Sequence, residues 1–248
     1  MKKYILLSFI VFFSLSVLAK DSILVANDLY KKGQYEKAID IYLKMLPEGN
    51  ESPEIYYNIG NAYYKNEQIS KAILYYERAL LIQPNFDNAR FNLEMAQSKT
   101  IDKINKQDSF FLKRWFDSIA NIKSSNSWAA MSIVLFILCL GLLFLYAFSK
   151  ILLLRKVSFY TAAFLLILSL SGMLMSKRQK DKVEKREYAI IMSSSVTVKN
   201  SPDDSGTTTF VLHEGTKVKI SKILDIWVEI ILEDGNVGWM LSEDLEII

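Results

Sequence analysis

Residues 53–84 read PEIYYNIGNAYYKNEQISKAILYYERALLIQP, and the fold of the first part of the chain turns on them. Tyr56, Ile59 and Tyr63 recur at the spacing of one helical stripe, and Ala72, Tyr76 and Ala79 at that of a second. Small residues at Gly60, Ala72 and Ala79 predict close approach of these two helices, with the aromatic side chains filling the space between them. The unit also recurs. Ala38 returns as Ala72, Tyr42 as Tyr76, Tyr35 as Ile69 and Ala26 as Gly60, each 34 residues on, a period that marks an array of helix pairs. An earlier copy over about 22–49 keeps Ala26, Leu29, Gly33, Ala38 and Tyr42 and departs from the pattern at Ser22, Val25 and Met45. Asp87 to Lys99, with Ala89, Leu93 and Ala96, predicts a helix that closes the array.

With Pro53 and Pro84 at its ends, the unit resembles a tetratricopeptide repeat at every signature position. That resemblance implies an all-α solenoid over 22–98, two repeats and a capping helix, whose concave face binds extended peptides or other proteins. Its contacts would come from the first helix of each unit, here Asn27, Tyr30 and Lys31, then Tyr57, Asn58, Asn61, Tyr64 and Lys65. Asn27 and Asn58 match two asparagines with which some members clamp a terminal carboxylate, but Ile23 stands where the clamp has its first lysine.

Outward from the repeat the chain is strongly apolar. Of 248 residues, 51% are hydrophobic and 23% charged, with a net charge of +3. Met1, Lys2 and Lys3 precede an apolar run to Leu18 with Val17 and Ala19 at a cleavage point, which reads as an export signal over 1–19, an uncleaved anchor being the alternative. Uncharged runs over 128–148 and 157–176 are each long enough to cross the roughly 30 Å apolar core of a bilayer. A turn over 149–156 joins them into a hairpin, so both flanks share a compartment. Lys150, Arg155 and Lys156 suit a cytoplasmic turn, whereas the basic linker 177–187 suits a cytoplasmic flank. The export signal favours the first arrangement and an inner-membrane protein with both soluble parts in the periplasm. Before the hairpin, a linker over 99–127 carries Phe111, Trp115, Ile119 and Ile122 on one helical face. Interleaved with Lys113 and Arg114, this face suits membrane lipid at the bilayer interface, or packing on the repeat. Cys139 reads as a small apolar filler.

After 187 the period changes to two. Tyr188–Ile191, Val196–Lys199, Thr208–Leu212, Lys217–Ile223, Trp227–Leu232 and Val237–Trp239 are separated by turn clusters such as Asp234-Gly235-Asn236. Five or six short strands over 188–248 predict a small all-β barrel. Val196, Val198, Lys199 and Pro202, the stretch Leu212 to Val218, and Trp227, Asp234-Gly235 and Gly238-Trp239 resemble a bacterial SH3 domain. Trp227 and Trp239 either pack this barrel or floor a groove for a peptide or the stem peptide of peptidoglycan. His213 reads as a partnerless residue of a solvent-facing turn. Four lysines face eleven carboxylates from Glu187 to Ile248, a balance that repels phosphate backbones and argues against nucleic acid.

One His and one Cys exclude zinc sites built from these residues, disulfide frameworks and Cys–His dyads. No nucleophile elbow, phosphate-cradling loop or metal cluster is visible, so the reading is a non-enzymatic protein with no catalytic residues, no metal and no cofactor. The order of parts resembles the BatE-like proteins of the Bacteroides aerotolerance operon family. It implies partners with von Willebrand factor A domains and, through them, a MoxR-type ATPase, in stress or oxygen tolerance and envelope maintenance. Two functions follow as expectations: a membrane scaffold that grips protein partners through its repeats, or an envelope sensor that binds peptidoglycan through the SH3-like domain.

Overall fold

The computed structural model describes residues 22–46, 51–104 and 111–248; the expected export signal over 1–19 lies outside the described residues. The chain forms two compact units. One gathers the described residues up to Leu81, from Phe86 to 104, and from Glu187 to Ile248; the other holds 111–186 with Ile82–Asn85.

In the first unit, α1 (22–31) pairs with α2 (Tyr35–Lys44), and α3 (Pro53–Lys65) with α4 (Ile69–Ile82), before α5 (Asp87–Gln97) closes the array. Ser52 caps α3 by accepting from the Ile55 N–H at 3.4 Å, and Pro53 occupies the first turn, where no N–H is needed. Close helix approach at Gly60 is obligatory, since a Cβ there would lie 2.6 Å from the Tyr76 ring. Repetition extends to bonds the spacing alone did not reveal. Tyr42 donates its hydroxyl to Asn27 Oδ1 at 2.6 Å, and one period later Tyr76 donates to Asn61 Oδ1 at 2.8 Å. The turn ending each first helix is likewise copied: Gln34 N–H reaches the Leu29 carbonyl at 2.9 Å and Gln68 N–H the Tyr63 carbonyl at 3.0 Å. Gly33 supplies the positive φ of 76° in the first copy, while Glu67 adopts 63° in the second, a conformation that costs an ordinary residue about 1–2 kcal/mol.

The C-terminal part of this unit is a seven-stranded antiparallel sheet: β1 (Tyr188–Ile191), β2 (Ser195–Lys199), β3 (Thr208–His213), β4 (Lys217–Leu224), β5 (Trp227–Ile231), β6 (Val237–Leu241) and β7 (Leu245–Ile247). Their order is β3-β2-β6-β5-β4-β1-β7. Six lie on the stretches whose alternation predicts strands; β7, three residues long, is too short for the pattern to declare. Val196, Val198, Val218, Val228, Ile230 and Met240 turn to one face and form a core with Ala189, Ile191, Leu212 and Leu232. Ile104, from the segment after α5, packs against that core.

The second unit is built on α7 (Ser125–Phe148) and α8 (Leu152–Lys185), each long and apolar enough to cross a membrane. Their seam repeats every seven residues. Ser125 Oγ donates to the Ser176 carbonyl at 3.0 Å, Ser132 Oγ to the Ser169 carbonyl at 2.6 Å, Cys139 Sγ to the Ala162 carbonyl at 3.3 Å, and the Arg155 guanidinium lies 5.3 Å from the Tyr146 ring centre. Between two apolar helices in lipid, association comes from close packing and such bonds rather than from hydrophobic burial. Ser132→Leu removes the two bonds its hydroxyl makes to Ser169 and wedges the seam. Labelling of the buried Cys139 thiol by maleimide in detergent will then run on the order of tenfold faster, an opening of about 1.4 kcal/mol.

Two boundaries differ from those the sequence suggests. The turn narrows to 149–151, and α8 continues to Lys185 through the stretch that reads as a basic linker, with the exposed Lys180–Glu184 pair at 3.5 Å adding a few tenths of a kcal/mol. Helix α6 (Phe111–Ala120) lies against this extension: Arg178 pairs with Asp117 at 2.8 Å, and Gln179 donates to the Ala120 carbonyl at 2.6 Å. Phe111, Leu112, Trp115 and Phe116 remain exposed.

Candidate protein-binding surfaces

Eight residues of α1 and α3 are the ones a partner is expected to meet. Lys31 and Lys65 are exposed, and Asn27, Tyr30, Tyr57, Asn58, Asn61 and Tyr64 are half-buried. They do not all have the same freedom. Asn61 Oδ1 accepts from both Tyr76 and the Asn92 amide, the latter at 2.7 Å. Tyr57 packs its ring 5.0 Å from that of Phe86 and accepts from Asn92 at 3.3 Å. These two residues, like Asn27, therefore hold helix to helix. Tyr30 makes an edge contact with Tyr35 at 5.4 Å, and the Tyr64 ring carries the Lys99 ammonium at 4.3 Å. Burial raises the Tyr30, Tyr42 and Tyr76 hydroxyls above the ordinary tyrosine value, so all three remain protonated donors through the neutral range. Tyrosine rings with fixed hydroxyls, rimmed by lysine, are the side chains that anchor protein interfaces.

A second constellation was not visible in the sequence. The sheet is fastened to the helical array by a different stripe of α4 and by the segment after α5. Asp102 accepts from the His213 N–H at 2.7 Å and from the Thr216 hydroxyl at 2.7 Å, and its second oxygen lies 2.8 Å from His213 Nδ1. Lys217 Nζ meets Glu77 at 2.7 Å. Arg78 reaches Glu246 at 3.0 Å and donates to the Ile247 carbonyl at 2.6 Å, and Ser70 donates to Glu214 at 2.9 Å. The sheet approaches so closely that a Cβ on Gly215, whose φ is 83°, would stand 2.7 Å from Thr100 and 3.1 Å from Ile73. His213 is thus not the partnerless residue of a solvent-facing turn that the sequence suggests: it ends β3 and is bound on two of its atoms.

Charge follows this geometry. Burial opposes ionisation of Asp102, but the His213 N–H, the His213 ring and the Thr216 hydroxyl outweigh it and hold the carboxyl below its ordinary value. Burial likewise disfavours the Lys217 ammonium, and the adjacent Glu77 carboxylate more than restores it, raising its pKa. Burial beside Tyr75 pushes the Tyr63 hydroxyl up to about 12.

On the sheet, Trp227 is buried, at 9% exposed, and Trp239 is half-buried. Val228, Ile230, Gly238 and Met240 point inward, so the alternate residues Trp227, Glu229 and Trp239 share the opposite face. Lys199 pairs in register with Trp239 and holds its ammonium 5.2 Å from the Trp227 ring centre. Among the described residues no group of three or more His, Cys, Asp or Glu is placed to hold a metal ion.

Comparison with known families agrees with the helical array. A family model described as "Tetratricopeptide repeat" matches residues 53–86, and one described as "TPR repeat" matches residues 26–67. The chain therefore contains tetratricopeptide repeats, modules that typically bind other proteins and do no chemistry. No curated protein matches the chain.

Proposed function

We propose that the chain is a non-enzymatic membrane scaffold: the hairpin of α7 and α8 anchors it, and the first helices of its repeats grip a protein partner. One observation carries this reading. The bonds to the sheet leave from Ser70, Glu77, Arg78 and Asp102, while Tyr30, Lys31, Asn58, Tyr64 and Lys65 lie on first helices that take no part in them. In the order of its parts the chain resembles the BatE-like proteins, which supports an inner-membrane location with soluble parts in the periplasm, partners with von Willebrand factor A domains, and a role beside a MoxR-type ATPase in stress tolerance. The test uses Lys31→Glu, Asn58→Ala and Lys65→Glu together, which spares the structural Asn61 and Tyr57. Proteins that co-purify with the detergent-extracted wild-type chain will be lost from the triple variant; undiminished co-purification would overturn the reading.

A second reading has its own support. Trp239 is half-buried on the face it shares with Lys199, Glu229 and the buried Trp227, and the strand sequences resemble a bacterial SH3 domain. In that reading the chain is an envelope sensor that holds peptidoglycan stem peptides. Retention of the detergent-solubilised chain on purified sacculi, abolished by Trp239→Ala, would favour it over the scaffold.

A further inference from the structure

At the loop end of the hairpin, Tyr146, Leu152, Arg155, Lys156, Phe159 and Tyr160 line an open pocket of about 280 Å³, near the lower limit of small-ligand sites. Its charge is uncompensated. Arg155 and Lys156 have no carboxylate partner among the described residues, and no Asp or Glu occurs in the sequence between Asp117 and Asp181. The Arg155 guanidinium stands 5.3 Å from the Tyr146 ring centre and makes no side-chain hydrogen bond among the described residues. Both cations are exposed beside apolar helix ends, and a fork beside a point charge suits phosphate oxygens.

We propose that this pocket binds the headgroup phosphate of an anionic phospholipid. Lipid rather than a soluble phosphate fits because the pocket rim continues into apolar side chains: Phe148, Leu152, Leu153 and Tyr160 are 71%, 66%, 72% and 71% exposed, a surface along which acyl chains would lie. Tyr146 and Tyr160 mark the depth at which amphipathic rings meet headgroups, and basic pockets between membrane helices take anionic headgroups. The inference rests on the reading of α7 and α8 as membrane spans.

The full chain in neutral detergent is incubated with equal amounts of dioleoyl phosphatidylglycerol and dioleoyl phosphatidylcholine, and retained lipid is read by native mass spectrometry. Retention will favour phosphatidylglycerol on the order of tenfold, and R155Q/K156Q will bring the two lipids to parity. K177Q/K180Q, at the far end of α8, will keep the preference, and millimolar inorganic phosphate will not displace the lipid. Parity in the wild-type chain overturns the proposal. So does a preference that survives R155Q/K156Q, one lost only in K177Q/K180Q, or displacement by phosphate. Alkaline carbonate washing of membranes separates the two readings: a chain that stays in the pellet but shows parity keeps the spans and loses the site, whereas a chain that is released loses both.

Discussion

Replacing Asp102 with alanine will free the sheet from the helical array. One carboxylate satisfies the His213 N–H, the His213 ring and the Thr216 hydroxyl, and hydrogen bonds to a charged group are each worth about 1.5–3 kcal/mol. Shared through one residue they do not add fully, so the expected loss of docking is about 3 kcal/mol. Trypsin reads this directly. Lys99 and Lys103 flank the anchored segment, and Lys103 is itself bound to the Gln97 and Ser98 carbonyls at 3.1 Å. Where cleavage follows the open population, the variant will be cut there about a hundredfold faster than the wild-type chain. Equal rates would mean that Asp102 holds nothing.

The effect of pH follows with a definite sign. Because the folded value of Asp102 is depressed, its contribution is complete above the ordinary carboxyl value near 4 and is lost as pH falls through the lower, folded value. The raised value of Lys217 works at the other end: its contribution is complete below the ordinary value of about 10.4 and is lost as pH rises through the folded one. Docking should therefore be constant across the neutral range with respect to both groups and fail at the two extremes.

Lys217→Ala will loosen the same interface through another cause. Glu77 is 9% exposed, and removing its ammonium partner leaves a carboxylate without compensation in a site water hardly reaches. Such single truncations cost about 3–5 kcal/mol, whereas replacing both members by apolar residues is often neutral. Tryptic cleavage at Lys99 and Lys103 should accordingly accelerate at least a hundredfold in Lys217→Ala and return close to the wild-type rate in Glu77→Leu with Lys217→Met. If the double variant is as open as the single one, the bond matters for its own strength and not for the charge it covers.

The repeats were legible because their signal is redundant. The period of 34 places Ala38 on Ala72 and Tyr42 on Tyr76, and each helix writes its buried stripe in its own spacing. Strands declared themselves by alternation in the same way, from Val196 and Val198 to Val228 and Ile230. Asn27 and Tyr42 also recur together as Asn61 and Tyr76, fifteen residues apart in both copies, which marks those asparagines as partners of the tyrosines. Docking left no such trace. Asp102 is 111 residues from His213, and Glu77 is 140 from Lys217. Each is a single charged residue in a polar stretch, and pairing them needs the fold. The stretch 177–187 reads as a basic linker from its charges, yet α8 runs through it to Lys185, with Gln179 donating to the Ala120 carbonyl of α6.

The central claim, that the sheet is fixed to the second repeat, is tested most directly by zero-length carbodiimide cross-linking of the unmodified full chain, followed by mass spectrometry of the linked peptides. The reagent joins carboxylates to amines already in contact, so the contacts of Lys32 with Asp28 and of Lys222 with Glu229, at 2.6 and 3.1 Å, serve as internal standards. The account predicts a Glu77–Lys217 link alongside them. Recovery of both standards with no peptide joining 69–104 to 187–248 would contradict it.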